Sequence, residues 1–193
     1  MARRVTANLS LTLDGRYQGP GGPADMGPIV AYATTEVARR HLTRIWENAT
    51  TAVLGRLNAE GFLGYWPTVA ADEKADPRDR GYAKWLTETE KVVFSKTVTE
   101  PPWDRTRMVN PPAPEVISDL KATGSGEILV NSSASIIKPL LAANLVDRLY
   151  IMICPEIAGA GATLFEDGMP TSSWTLTHHE AGERGELALV YDR

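Results

Sequence analysis

From residue 3 to residue 13 apolar and polar positions alternate, with Val5, Ala7, Leu9, Leu11 and Leu13 set against Thr6, Asn8, Ser10 and Thr12. A period of two predicts a strand, because successive side chains leave opposite faces. Asp14-Gly15 closes it with turn chemistry, and the Gly/Pro-rich stretch 19–28 is loop, either a surface spacer or a lid over a site. The period then changes. Val37, Ala38, Leu42, Ile45, Trp46 and Ala49 recur at steps of three and four, which predicts a helix capped by Thr34 or Thr35 and ending near Ala49. Thr51 to Leu54 is a short apolar run, a buried strand ending at Gly55. One or two helical turns follow from Arg56 to Phe62, stopping near Gly64 and Pro67. Residues 68–80 are polar and charged and are expected to be a solvated loop.

The second half keeps the same rhythm. A short helix from Gly81 to Glu88 precedes a strand at 91–95, and Arg107 to Val109 is another short strand. Val116, Ile117 and Leu120 mark a helix ending at Gly124. Glu127 to Val130 is a strand running straight into Asn131-Ser132-Ser133-Ala134-Ser135 and a helix marked by Ile136, Ile137, Leu140, Leu141 and Leu145. Leu149 to Cys154 is almost continuously apolar, as in a central strand covered on both faces. Ser173 to His179 and Glu186 to Tyr191 alternate around Gly182 and Gly185 and predict a closing antiparallel hairpin. Strands alternating with helices imply an α/β fold, a mostly parallel sheet with helices on both faces and an antiparallel C-terminal edge.

Composition narrows the function. With 193 residues the expectation is one domain. A net charge of -4 argues against a dedicated nucleic-acid binder, which would carry a basic face, but leaves room for a local phosphate site. The one cysteine, Cys154, excludes an intrachain disulfide and any Cys-x-x-Cys zinc site, so no metal is expected. No signal peptide and no apolar run of membrane-spanning length is visible, and a cytoplasmic setting without membrane partners is the expectation.

Three strand-to-helix junctions carry phosphate-capable residues, at the strand ends where α/β sheets collect ligands. Gly55-Arg56 combines close backbone approach with a guanidinium. Ser95-Lys96 offers a hydroxyl and an ammonium. Asn131 to Ser135 opens a helix whose free N–H groups suit an anion. Each has a structural alternative: Arg56 could pair with Glu60, and Ser133 or Ser135 could cap its own helix. Together the three suit a ligand with several phosphates. G-x-G-x-x-G, P-loop, G-x-S-x-G and H-E-x-x-H patterns are absent. His178 and His179 leave opposite faces of one strand and cannot share a metal, whereas His41 borders the apolar stripe of its helix.

The ordered set of segments resembles a known family. Ser132 to Leu149 (SSASIIKPLLAANLVDRL) is similar to the G-S-x-x-L…L-L-x-x-G-L-V-D-E-L signature of the reductase domain of the bifunctional riboflavin-biosynthesis deaminase-reductase and its stand-alone relatives. Pro155 to Phe165 resembles P-v-x-x-G-x-G-x-x-L-F, Ser10 to Gly15 the S-L-D-G turn, Gly55-Arg56 through Trp66-Pro67 the G-R-x-T…y-W-p segment, and Lys91 to Lys96 the K-x-v-x-S-[RK] segment. The resemblance implies a dihydrofolate reductase-like three-layer fold, NADPH as cofactor and a homodimer. Carried over by position, Gly55, Arg56 and Asn58 approach the adenosine-phosphate half, Ser95 and Lys96 the 2′-phosphate, and Asn131, Ser132, Ser133 and Ser135 the pyrophosphate. Ala7 and the loop from Asp14 to Gly22 flank the nicotinamide. This chain departs from the pattern at Asn58, where the family has threonine, and at Ser132, where it has glycine.

The expectation is therefore an NADPH-dependent reductase of a small heterocyclic (pterin- or pyrimidine-like) or carbonyl substrate, working by hydride transfer. Asp14 is the candidate acid, beside Glu36, Glu47 and water, with the shaping of its own turn as the favoured alternative for Asp14. Tyr17, His41, Trp46 and Trp66 are candidates for the substrate pocket, although the place of Trp46 on the helical stripe favours core. The alternative is a non-catalytic nucleotide-binding or dimeric scaffold protein that keeps the fold. The lack of room and cysteines for a zinc deaminase points to a stand-alone reductase-like unit.

Overall fold

The computed structural model describes residues 2–193. Eight strands form one sheet. They are β1 (Val5–Thr12), β2 (Ala49–Gly55), β3 (Glu90–Phe94), β4 (Thr106–Val109), β5 (Glu127–Asn131), β6 (Arg148–Cys154), β7 (Thr175–Ala181) and β8 (Leu187–Asp192), in the spatial order β4-β3-β2-β5-β1-β6-β8-β7. The first six run parallel, with Val5 opposite Ile128 and Ala7 opposite Leu149. β8 pairs antiparallel with both β6 and β7, the antiparallel edge that the closing hairpin predicted.

Helices cover the sheet on two sides, which makes the three layers. α5 (Ala113–Ala122) and α6 (Ala134–Ala142) bury one face, against Val5, Ala7, Leu9 and Leu11 of β1 and Val53, Ile128, Val130 and Ile151 of β2, β5 and β6. The opposite face carries the short α1 (Gly27–Val30), α2 (Glu36–Trp46), α3 (Arg56–Ala71) and α4 (Pro77–Glu88). They pack on Ala52, Leu54, Val93, Leu129, Tyr150, Met152 and Val190. The alternation in β1 therefore divides two environments: its apolar side chains enter the core under α5 and α6, and Thr6, Asn8, Ser10 and Thr12 face the other layer. β6 is internal, between β1 and β8, as its apolar run predicted.

Two expectations are corrected. α3 does not stop near Gly64 but runs 16 residues through Gly61, Gly64 and Pro67. Phe62, Leu63 and Trp66 on its inner side pack on Leu54 and Tyr82, and that burial outweighs the poor propensity of the exposed glycines and proline. The charged run at 72–80 is not simply solvated loop. Asp76 caps α4 by accepting from the Arg78 N–H, Arg78 grips both carboxylate oxygens of Glu36 at 2.9 Å, and Arg39 meets Asp79 at 2.9 Å. These pairs dock α4 against α2, the two walls of the cavity described next.

Candidate active site

A cavity of about 340 Å³ lies between the α1–α4 layer and the sheet. Its floor is built by Asn8 and Ser10 of β1, Asn131 of β5, and Tyr150 and Met152 of β6. In a central strand the polar half of a period-two pattern has no solvent to face, and here it faces this cavity. Leu42, His41 and Ile45 come from α2, Phe62, Tyr65 and Trp66 from α3, and Tyr82 from α4. Trp66 stands edge-on to Tyr82, with ring centroids 4.5 Å apart.

His41 is 3% exposed, and neither ring nitrogen has a hydrogen-bond partner among the described residues. Its ring meets Tyr150 edge-on at 5.6 Å. Burial first, and then the nearby Arg44 and His178, hold its pKa down to about 4, against a weaker upward pull from Glu180. The imidazole is therefore neutral at pH 7, with its one donor and one acceptor both buried.

Beside the cavity, the ends of β2 and β5 interlock. The Gly55 N–H donates to Ser133 Oγ (3.0 Å), and Asn58 Nδ2 donates to Ser133 Oγ (3.2 Å) and to the Ser132 carbonyl. Ser133 Oγ in turn donates to the Asn131 carbonyl (2.9 Å). The hydroxyl of Ser133, spent in this way, does not cap its own helix. Neither α3 nor α6 receives a side-chain cap, so two adjacent helix N-termini present free N–H groups and the positive ends of their dipoles. A side chain at Gly55 would reach out toward Ser135 Oγ and Ser133 Oγ, at 3.7 and 3.8 Å from its first carbon, into the space between these termini. The residues present thus fit a pyrophosphate.

Ser132 has φ of 51°, in the left-handed region that favours glycine. That geometry accounts for the family glycine at this turn. Here Asn8 supports the serine from both ends: it accepts from the Ser132 N–H through Oδ1 (3.2 Å) and donates through Nδ2 to Ser132 Oγ (3.3 Å). Asn131 is buried and donates to the hydroxyl of Tyr82, whose own ionisation burial pushes far up. Asn8, Tyr82 and Tyr150 were not singled out in the sequence. Asn8 was legible as a polar position on the back of an apolar strand, whereas the tyrosines carried no comparable signal.

The expected site residues separate into groups. Gly55, Asn58, Asn131, Ser132, Ser133 and Ser135 come together. Arg56 borders them but is half-exposed and paired with Glu60 at 2.6 Å, the structural alternative. One strand further out, at the end of β3, Ser95 Oγ accepts from the N–H groups of Thr97 and Val98, and Lys96 is exposed. His41 and Trp66 line the cavity. Trp46 does not: it is packed against Trp85 and Gly81 behind the wall, its indole N–H buried. Tyr17 packs against the other core, beneath the Lys138 ammonium 5.5 Å from its ring. The Ala7 side chain is wholly buried on the α5–α6 face, which leaves only its backbone toward any ligand.

Asp14 is a turn brace rather than an acid. Its carboxylate accepts from the Thr12 hydroxyl (2.6 Å), Arg16 Nε (2.9 Å) and the N–H groups of Ala158 and Gly159 (3.0 Å each). These donors, the Thr12 hydroxyl first, hold its carboxyl far below the usual range, so it carries no proton to give at neutral pH.

This geometry has relatives. The chain is 25% identical to the uncharacterized protein YyaP of Bacillus subtilis (strain 168), over 98% of this chain and 94% of that protein. Its fold is similar to a crystal structure from Shewanella sp. PV-4 provisionally named as a riboflavin biosynthesis protein (TM-score 0.71, 20% identity, 100% and 99% of the two chains). It is also similar to a dihydrofolate reductase from Enterococcus faecalis solved with NADP(H) and RAB-propyl (TM-score 0.60, 15% identity, 100% and 99%). The fold is dihydrofolate reductase-like. With residues 3–187 matching it, from before the first strand to the start of the last, the chain belongs to the RibD C-terminal domain family.

Proposed function

We propose that the protein is a reductase that uses NADPH to deliver a hydride to a C=N or C=O bond of a small heterocyclic or carbonyl compound. The observation that carries this reading is the seam at Asn131 and Ser132. The two residues line the aromatic cavity and also open the loop into α6, so an anion site and a ring site share one wall. A ligand with phosphates at one end and a flat reactive ring at the other suits that arrangement better than two separate ligands do.

When bound, the nicotinamide supplies the hydride. The chain's own residues bind and exclude water. Gly55, Asn58, Ser133, Ser135 and the two helix N-termini would hold the pyrophosphate, Arg56 would border the adenosine, and Ser95 and Lys96 would take the 2′-phosphate. Asn8 and Ser132 would meet the ring end, with Ala7 and the 14–22 loop flanking it through backbone. Phe62, Tyr65 and Trp66 keep the substrate side apolar. The one carboxylate on the cavity wall, Asp79, is already paired with Arg39, and His41 is neutral. The proton that completes the reduction therefore comes from water at the cavity mouth.

Titration with NADPH and NADH, followed by cofactor fluorescence or calorimetry, tests this directly. Micromolar-range binding with a clear preference for NADPH supports the reading. Absence of binding sinks it in favour of the scaffold alternative, and equal affinity for the two cofactors removes Ser95 and Lys96 from a 2′-phosphate site.

The proposal includes a homodimer in the cytoplasm. No described helix is long and apolar enough to cross a membrane. β6, the long apolar strand, lies inside the sheet and offers no edge to a second copy. The C-terminal hairpin remains. Leu187, Leu189 and Tyr191 leave the same face of β8, and Leu176 lies opposite Tyr191 on β7. Leu176 and Leu187 are 46% and 40% exposed.

A further inference from the structure

Among the described residues three that are not glycine hold a left-handed backbone: Arg105, Ser132 and Asn144. Of these only Ser132 lines the cavity, with its φ of 51° where the family has glycine. A side chain kept at some backbone cost beside a binding site calls for a use of that side chain. What Ser132 adds over glycine is one hydroxyl.

The direction of that hydroxyl follows from Asn8. The Ser132 N–H, which can only donate, is shared between the Asn8 backbone carbonyl (3.1 Å) and Asn8 Oδ1 (3.2 Å). The other end of the Asn8 amide is therefore Nδ2, which donates to Ser132 Oγ at 3.3 Å. Oγ accepts that bond, so its own proton points away from Asn8, and no described residue accepts it. Nδ2 carries a second hydrogen that is likewise unspent. Asn8 and Ser132 are both partly open, and both line the cavity. The seam thus offers two neutral donors side by side. They suit a carbonyl oxygen, with its two lone pairs, better than a ring nitrogen with one. A phosphate has the uncapped helix N-termini beside them to go to.

We propose that Asn8 and Ser132 together hold the carboxamide oxygen of the nicotinamide, and so fix which face of its ring meets the cavity. This rests on the reductase reading. With the pyrophosphate held at the N-termini of α3 and α6, the ring can still turn about its bond to the ribose. A half turn carries the carboxamide to the opposite side and presents the other face. Donors on one side only select one of the two orientations, which is how a bond far from the reacting carbon positions it. Asn58 steadies the turn by donating to the Ser132 carbonyl, so the hydroxyl is held on a braced backbone. The device belongs to this chain, since the family glycine has no side chain to donate.

The test is calorimetry on the intact protein with three ligands. They are NADPH, thio-NADPH, in which sulfur replaces the carboxamide oxygen, and 2′-phospho-ADP-ribose, which keeps the phosphates and lacks the nicotinamide. Sulfur is a weak acceptor, so the parent is expected to bind NADPH about fivefold to tenfold more tightly than thio-NADPH. Ser132→Gly, and Ser132→Ala, which keeps the Cβ, are expected to bring that preference within about twofold while leaving 2′-phospho-ADP-ribose affinity within about twofold of the parent. Asn8→Asp, whose carboxylate accepts from the Ser132 hydroxyl and leaves no donor toward the cavity, is expected to abolish the preference as well. A preference that survives in both Ser132 variants would overturn the proposal. So would a loss of 2′-phospho-ADP-ribose binding as large as the loss of NADPH binding, because Ser132 would then act on the phosphates. NADPH bound by the parent with no preference over thio-NADPH would overturn it and leave the reductase reading standing. NADPH not bound by the parent at all would contradict that reading, and the proposal with it.

Discussion

At the scale of single residues, the two most informative positions are those where a side chain sits at some cost. His41 is the first. Its folded pKa, about 4, lies below the unfolded value of about 6.5. Between those values the unfolded chain binds a proton that the native state refuses, so stability falls as pH drops through that window and is fully present above it. From about pH 7 to about pH 4.5 the loss attributable to His41 is on the order of 2 kcal/mol. Urea denaturation at both pH values should show that loss in the parent and not in His41→Phe. Ser132 is the second. Its left-handed backbone costs roughly 1–2 kcal/mol relative to glycine, and its bond to Asn8 returns roughly 1 kcal/mol. Ser132→Gly should therefore be nearly neutral. Ser132→Ala keeps the strain, loses the bond and should be less stable by about 1 kcal/mol in the same assay. The choice of serine in place of the family glycine was visible in the sequence. Its partner Asn8 was not, because the pairing joins residues far apart in the chain that meet only when β1 lies beside β5.

At the scale of elements, strands and caps followed from local pattern, and the failures have one cause. β1, β5, β6 and the closing hairpin have periodicity that no other packing satisfies, and the Thr35 cap of α2 is a local bond. α3 outruns its local pattern because its inner residues are held by contacts with β2 and α4, which no window of sequence contains. Pro67 lies on its exposed side. Proline in a helix interior costs up to about 3 kcal/mol relative to alanine, so Pro67→Ala should stabilise the protein by roughly 2 kcal/mol. A higher midpoint in chemical denaturation would bear this out, and a lower one would mean that the proline is needed where it is. The charged run at 72–80 departs from its local pattern for the same reason, since its partners Glu36 and Arg39 lie on α2. The candidate site was correspondingly half legible. The phosphate-capable junctions are contiguous in sequence, and they gather because parallel strands β2, β3 and β5 are neighbours. The aromatic cavity is assembled from four helices and three strands, and of its residues only His41, Trp66, Asn131 and Ser132 stand out in the sequence.

At the scale of the whole molecule, the sheet divides labour between its two ends and its two faces. The α5–α6 face is core, the α1–α4 face holds the cavity, and the C-terminal ends of β2, β3 and β5 carry the proposed anion site. The antiparallel β7–β8 extension carries apolar side chains on the core face beyond the reach of α5 and α6. If that strip is the dimer contact, light scattering should give twice the 21.0 kDa chain mass. A Leu176→Glu, Leu187→Glu double variant should give the monomer with its NADPH affinity retained. A monomeric parent would reject the contact.

The central claim is that the strand-end anion site and the cavity are two halves of one site joined at Asn131 and Ser132. The most direct measurement is a crystal structure of the protein with NADPH. The account predicts the pyrophosphate at the N-termini of α3 and α6, the 2′-phosphate beside Ser95 and Lys96, and the nicotinamide at the mouth of the cavity near Asn8. A cofactor bound with its ring turned away from that mouth, or no cofactor bound at saturating concentration, would contradict it.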